Sequence, residues 1–402
     1  MAPAAPPPRG GRPYKATEMQ LQTRADVGTN HAPHRVDGCI LASVQTPTDG
    51  RGRQKTLSEL TFAELQEWLI AQGQPKFRAA QVQEWLWTHL ATSFDQMTNL
   101  PKDLRAVLTE NAQVGVLTEV EKQVSMDGTA KWAFQDADGK KFETVMIPED
   151  DRRTACISSQ VGCAMGCSFC RTAQMGFLRN LTSGEILRQV AHVKRWLRET
   201  NQPNLSNIVF MGMGEPLNNL PALLHACETL TSPKGFGMSP RRITISTSGL
   251  VTKIEELGDV APQYHLAISL NSSNDTMRDE VMPVNKRHPL HQLLEAGDEW
   301  SVKADWPVTY EYVLIKDITC TPKAAKEVVE LLKGRNCKIN IIPLNASRDI
   351  EMATPSDGEI DSFEMTLRNE GLAVFKRKPK GRDIQAACGQ LAQKGEKAPA
   401  AE

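Results

Sequence analysis

Between residues 155 and 344 the chain alternates short β-rich runs with amphipathic stretches, and that alternation leaves few folds open. The β-rich runs are ACISSQ (155–160), NIVFMG (207–212), RITIST (242–247), HLAISL (265–270), TYEYVLI (309–315) and KINIIPL (338–344). The segments between them read as helices. In EILRQVAHVKRWLRE, Ile186, Val190, Val193 and Leu197 line one face, and AAKEVVELLKG does the same with Val328, Val329 and Leu332. Six successive β–α units predict a parallel sheet that right-handed crossovers curl toward a barrel. The expected fold class is α/β, a partial (β/α)6 barrel with its chemistry at the C-terminal ends of the strands.

Upstream the pattern changes. LSELTFAELQEWLIAQGQ places Leu60, Leu65, Trp68 and Leu69 near helical spacing, and PKFRAAQVQEWLWTHL repeats it with Phe77, Val82, Trp85 and Leu86. Asn99-Leu100-Pro101 opens a further short helix. Residues 55–115 therefore form a small N-terminal helical domain, with Lys76, Arg78, Lys102 and Arg105 either on solvated faces or on an RNA-backbone contact surface. VLTEVEKQVS and TAKWAFQD flank a turn at Met126-Asp127-Gly128, and KFETVMIP follows a second turn at Asp138-Gly139, so 116–150 reads as a β-hairpin extension with a third strand. The barrel takes 151–375, a C-terminal segment 376–394, and a short tail 395–402. Residues 1–54 are rich in Pro, Gly, Arg and Thr, with Glu18, Asp26, Asp37 and Asp49 as the acids. Such a composition reads as a disordered tail. An organelle transit peptide shares it, while the lack of an apolar h-region excludes a secretory signal.

A net charge of -1 excludes a globally basic nucleic-acid binder but leaves room for a basic stripe. Nine cysteines without paired spacing argue against a secreted disulfide framework. The apolar runs fall far short of the roughly 20 residues of a membrane span. The expectation is a soluble, cytoplasmic protein. Among the cysteines, Cys163, Cys167 and Cys170 in VGCAMGCSFC stand apart, at C-x3-C-x2-C spacing. Three thiolates leave one iron of a four-iron cluster open to another ligand. A structural zinc wants four closed ligands, commonly from two CxxC pairs, whereas Cys39, Cys156, Cys227, Cys320, Cys337 and Cys388 all stand singly. The triplet sits just past the first predicted strand, at the barrel's reactive end.

This triplet after the first of six β/α units resembles the radical S-adenosylmethionine superfamily, and Gly212-Met213-Gly214-Glu215-Pro216 resembles its glycine-rich motif. Longer segments narrow the likeness: VGCAMGCSFCRTAQMGFLRNLT, MGMGEPLNN, RRITISTSG, DEVMPVNK, KINIIPLN and GRDIQAACGQL. In this order, across about 56–394, they look like the bacterial radical S-adenosylmethionine adenine-C2 RNA methyltransferases of the RlmN type. The resemblance implies a radical-SAM barrel with a [4Fe-4S] cluster on Cys163, Cys167 and Cys170. It also implies S-adenosyl-L-methionine, two per turnover, bound to the open iron through its amino and carboxylate groups. Cofactor contacts carry over to Gly214, Glu215, Ser246, Ser269, Leu270, Asn271 and Asn345 at the strand ends. Asn271 stands where the family commonly has histidine.

The C2 of adenine is electron-poor and will not attack a sulfonium methyl group as a thiolate does. The family mechanism implies that Cys388, in AACGQL, first takes a methyl group, which calls for a depressed thiol pKa. An adenosyl radical removes hydrogen from that S-methyl group, and the carbon radical adds to C2. Glu143 in KFETVMIP then accepts the C2 proton, and Cys156 attacks the Cys388 sulfur to leave a disulfide and free methylated RNA. The two cysteines must meet with Cα atoms about 5.5 Å apart at closure, on a mobile C-terminal loop folded over the barrel mouth. Cys39, Cys227, Cys320 and Cys337 carry no motif and read as small buried hydrophobes.

The implied substrates are an adenosine in the peptidyl transferase region of 23S rRNA and a tRNA adenosine beside the anticodon, each taken out of its stack. Arg78, Lys102, Arg105, Arg377, Lys378, Lys380 and Arg382 are candidates for tracking phosphates, and KRKPKGR (376–382) is the densest basic run. An external electron donor, a monomeric state and no membrane complete the expectation. Two rivals remain at this point: a C8-adenine rRNA methyltransferase of the same superfamily, linked to antibiotic resistance, and a zinc-stabilised RNA-binding protein without catalysis.

Overall fold

The strands of the described chain are β1 (Thr118–Val124), β2 (Ala130–Gln135), β3 (Lys141–Glu149), β4 (Arg152–Cys156), β5 (Gln160–Gly162), β6 (Phe177–Asn180), β7 (Asn207–Phe210), β8 (Ile243–Thr247), β9 (His265–Ser269), β10 (Val308–Leu314), β11 (Cys337–Pro343) and β12 (Val374–Lys376). The computed structural model describes residues 56–136, 139–345 and 350–392. The tails expected at 1–54 and 395–402, and Cys39, lie outside the described residues. Ten strands form one sheet in the order β1-β2-β3-β4-β7-β8-β9-β10-β11-β12, and β5 pairs with β6 separately.

From β4 through β12 the large sheet is parallel. Leu266, Ile268, Tyr310, Tyr312, Ile339 and Ile341 are all buried, as strands covered on both faces require. The covering helices include Ser183–Glu199, Leu220–Thr231, Val251–Val260, Leu290–Ala304, Pro322–Leu332 and Asp357–Asn369. Helix Ser183–Glu199 starts at a capping box between Thr182 and Glu185, and it buries Ile186, Val190, Val193 and Leu197. That is the stripe the sequence marks out.

The expected hairpin at 116–150 is continuous with the barrel sheet. Strand β3 pairs antiparallel with β4, placing Val145 opposite Cys156. On one face of the hairpin, Trp132 and Phe134 meet the ring of His192, and Trp132 also meets Trp196. Upstream, helices Phe62–Ala71, Arg78–Trp87 and Lys102–Asn111 bury Leu65, Leu69, Val82, Leu86, Leu104 and Leu108. Arg188, fully within the core, ties them to helix Ser183–Glu199. Its guanidinium lies over the Trp87 ring and donates to the carbonyls of Ala91 and Val114.

Three details depart from the sequence expectation. The first predicted strand, 155–160, breaks after Cys156, and β5 turns aside to pair with β6, which periodicity did not indicate. The cause is local: at Gly162 (φ 72) a Cβ would lie 1.8 Å from the Gly176 carbonyl oxygen, so only glycine permits this close return. β12 adds a further parallel strand too short to read as one. Its residues Phe375 and Lys376 are exposed, and Lys376 begins the basic run.

Candidate active site

The parallel strands end at one mouth, and the cysteine loop closes over it. Cys163 follows β5, its N–H held by the Gly176 carbonyl at 2.8 Å, and Cys170 precedes the short helix Arg171–Gln174. Met165, Cys167 and Phe169 pack on Val281, Met282 and Val284, so apolar contact holds the loop against the segment after β9. All three cysteines are free thiols. Burial, then Glu215 and Cys170, push the Cys163 thiol up to about 12. Burial and the other two sulfurs raise Cys167 well above the usual thiol range.

The GMGEP loop lies against this site. At Gly214 (φ 100) a Cβ would come within 2.5 Å of the Gln160 side chain, so glycine lets the loop press onto the first strand's extension. The buried Glu215 carboxylate accepts from the Ser248 N–H (2.7 Å) and the Leu217 N–H (3.1 Å), while burial raises its pKa. Ser246 and Ser269 lie near the ends of β8 and β9, both half-buried. Leu270 is buried, and its N–H donates to the Glu311 carbonyl. Asn271 (φ 50) sits in the left-handed region, where asparagine is favoured over most residues. Its Oδ1 accepts from the Val313 N–H and its Nδ2 reaches the Met282 sulfur, so its amide is engaged within the protein. Asn345 is engaged too. Its Nδ2 donates to the Cys388 carbonyl (3.1 Å), and its Oδ1 accepts from Arg382 (3.0 Å).

Arg278, which sequence reading missed, knits these strand ends together. Fully buried, it donates to the carbonyls of Leu270, Ser248 and Ser269 and to Asn285 Oδ1. Its place directly before the DEVMPVNK segment was the available signal. Arg278→Met should destabilise the fold by about 3–5 kcal/mol, because it orphans buried acceptors while their surroundings stay dry. Chemical denaturation with fluorescence detection checks this, and a loss under ~1 kcal/mol would contradict it.

The Cys388 segment lies across the mouth. Arg171 donates its N–H to the Gly389 carbonyl (2.9 Å) and its guanidinium to Gln385 Oε1 and the Gln390 carbonyl. Thr172 Oγ donates to the Leu391 carbonyl (2.6 Å). At the far side Ser125 Oγ donates to Asp383, and the Gly381 N–H donates to Asp127. Cys388 opens to solvent while protein crowds its remaining sides. That crowding, with Glu311 and Cys170, pushes its thiol up to about 11, and Arg377 offsets this only in part. The expected depressed pKa is therefore absent here, because burial, and after it Glu311 and Cys170, disfavour the thiolate. Burial and then Cys388 push the Cys156 thiol up to about 12.

Glu143 is buried beside them. Lys131 lies 3.2 Å from its Oε1, and burial still raises the carboxyl pKa. Of the basic candidates, Arg377 lies 4.0 Å from Glu311, while Arg78 and Arg105 bond locally to Gln81 and the Asp95 carbonyl. Lys378 and Lys380 lie on the connection from β12 to the Cys388 segment. No helix among the described residues is long and apolar enough to cross a membrane.

Fold and site together define a radical S-adenosylmethionine enzyme, and residues 157–320 match the radical SAM superfamily model. Residues 55–114 match the ribosomal RNA large subunit methyltransferase N-terminal domain. The chain is 44% identical over 336 residues to a dual-specificity RNA methyltransferase RlmN from Syntrophotalea carbinolica, covering 83% of this chain and 89% of that one. It is 41% identical over 352 residues to a probable RlmN from Cytophaga hutchinsonii, covering 88% and 96%. A radical SAM methyltransferase structure from Sphaerobacter thermophilus superposes with a TM-score of 0.81 at 43% identity, covering 84% and 98%. The chain belongs to the RlmN family of dual-specificity RNA methyltransferases. Membership favours that reading over the C8-methylating and zinc-stabilised alternatives, and it brings a [4Fe-4S] cluster and S-adenosylmethionine as cofactors. The donor set fits the cluster. Cys163, Cys167 and Cys170 are free thiols on one loop, and a four-iron cluster takes three such sulfurs on separate irons.

Proposed function

We propose that this chain methylates C2 of an adenosine in the peptidyl transferase region of 23S rRNA and C2 of a tRNA adenosine beside the anticodon. The observation that carries the reading is the Cys388 segment held across the barrel mouth by Arg171, Thr172 and Asn345. Cys163, Cys167 and Cys170 hold the cluster. Gly214, Glu215, Ser246, Ser269, Leu270, Asn271 and Asn345 surround the cosubstrate, the last two in part through main chain, given their engaged amides. When bound, these groups supply the methyl group, the electron from an external donor and the hydrogen-abstracting radical.

The protein's own residues do the rest. Cys388 Sγ gives up its proton and carries the methyl carbon, presenting it to C2 of a base drawn from its stack. Glu143 receives the C2 proton; a carboxyl raised by burial is better matched to that task near neutral pH than an ordinary one. Cys156 Sγ, having given up its proton, then bonds to Cys388 Sγ as the bond from that sulfur to carbon breaks; the electron pair leaves with the carbon, which takes up a proton to become the methyl group, so that a disulfide and methylated RNA remain. The working division is a helical domain at 55–115, hairpin strands at 116–150, the barrel at 151–375 and the methyl-carrying segment at 376–394. The enzyme acts as a monomer in the cytoplasm, and the basic run from Lys376 to Arg382 meets RNA phosphates beside the mouth.

Nucleoside mass spectrometry of rRNA and tRNA incubated with reconstituted enzyme tests this. The expected product is 2-methyladenosine in both RNAs. Recovery of 8-methyladenosine, or of unmodified RNA from enzyme with a full cluster, overturns it.

A further inference from the structure

One buried ammonium touches both halves of this chemistry. Lys131 on β2 lies diagonally across from Glu143 on β3, in a register that pairs Lys131 with Val145 and Ala133 with Glu143. Residues opposite one another in a sheet share a face, and diagonal neighbours lie within reach of long side chains. Val145 in turn pairs with Cys156 on β4. Lys131, Val145 and Cys156 thus form one cross-strand row, with Glu143 beside it. Trp132, Phe134 and Thr144 alternate onto the other face, where they meet helix Ser183–Glu199.

The Lys131 side chain is mostly buried, and so is Glu143. Its Nζ stands 3.2 Å from Glu143 Oε1 and donates to the Gln385 carbonyl at 3.4 Å. Gln385 (φ 52) holds a left-handed conformation just before Cys388, so its carbonyl direction is set by a backbone that few side chains adopt freely. The other carboxylate oxygen, Glu143 Oε2, is buried. Arg171 and the Ala392 amide face the same carboxylate. A buried ammonium and carboxylate are costly unless paired, and here the pair reaches onward to the segment bearing the methyl carrier.

We infer that Lys131 is a positioning residue that fixes the Glu143 carboxylate and the Cys388 segment together, so that proton acceptor and methyl carrier are presented to the same base. This rests on the proposed roles of Glu143 and Cys388. Lys131 forms and breaks no bond; the C2 proton passes to Glu143 while Lys131 keeps its own.

The test uses cluster-reconstituted full-length enzyme with Lys131→Met, which keeps an apolar stem without the charge, and Lys131→Arg. Hydrogen exchange across 381–392 is read on each protein without RNA or S-adenosylmethionine. Methylation of Cys388 is read by peptide mass, and decay of the protein–RNA adduct in a single turnover. In Lys131→Met, exchange in the segment should rise at least tenfold and the adduct should persist at least tenfold longer, with Cys388 still methylated. Lys131→Arg should restore both to within about threefold of wild type. Segment exchange within twofold of wild type in Lys131→Met, or wild-type adduct decay, overturns the inference. Should Lys131→Met fail to fold, the arginine variant decides alone: retained segment protection supports the inference, and protection lost with the cluster intact overturns it. An unmethylated Cys388 in the wild-type enzyme would instead sink the carrier reading beneath it.

Discussion

Cys388→Ala is expected to lower methylated-RNA formation at least ~1000-fold, about 4 kcal/mol of barrier, while iron content and fold stay as in the parent. The reason lies in where the sulfur sits. Cys388 opens to solvent at the mouth and is not counted among the core residues. Its segment is held by Arg171, Thr172, Lys131 and Asn345 through main-chain groups or neighbouring side chains. Truncating the thiol therefore costs little stability, in the range usual for surface substitutions. It removes the only group proposed to bring a methyl carbon to the base. Anaerobic turnover with quantified 2-methyladenosine, alongside iron and sulfide assay, is the measurement. Sustained turnover in a fully loaded variant would show that another atom carries the methyl group.

Cys156→Ala should leave the first half of the reaction intact and stop the second. RNA should stay joined to the protein through the Cys388 sulfur, at close to one adduct per active enzyme, and free product should fall at least ~100-fold, about 3 kcal/mol. Cys156 ends β4 on the row shared with Val145 and is largely buried. Its loss removes one sulfur from a packed site, so a stability decrease of about 1 kcal/mol is expected beside the chemical effect. A denaturing gel of labelled RNA with enzyme separates the two. Free methylated RNA released at the parental rate would refute the resolving role.

Both predictions depend on groups that the sequence identified only through likeness. Without the AACGQL segment, Cys388 is one of several lone cysteines, and nothing local separates it from Cys227 or Cys320, which the structure buries. The barrel was legible differently. Helix Ser183–Glu199 announced its buried stripe by spacing, and each β-rich run from 207 onward became a strand within a few residues of its expected bounds. Periodicity reports burial, and burial is what a central parallel sheet imposes on every strand.

Pairing between distant segments left no such trace. Lys131 and Glu311 gave no signal as charged residues, and Arg278 offered only its place before DEVMPVNK, because a charge in sequence looks the same whether solvated or enclosed. Only the fold encloses them, and there each has acquired partners: three strand-end carbonyls and Asn285 for Arg278, Glu143 and Gln385 for Lys131, Asn340 for Glu311. The same difference explains the Cys388 thiol, raised toward 11 by burial and then by neighbouring Glu311.

The amino-acid order alone determined the β–α succession, the C-x3-C-x2-C spacing and the glycines at 162 and 214, since each depends on residue type and near spacing. The tertiary structure decided that the hairpin joins the barrel sheet beside β4. It also decided that the C-terminal segment crosses the mouth and that Lys131, Glu143 and Cys156 emerge on one face. Those outcomes depend on strand register and on hydrogen bonds between segments far apart in the chain, which short-range patterns do not encode.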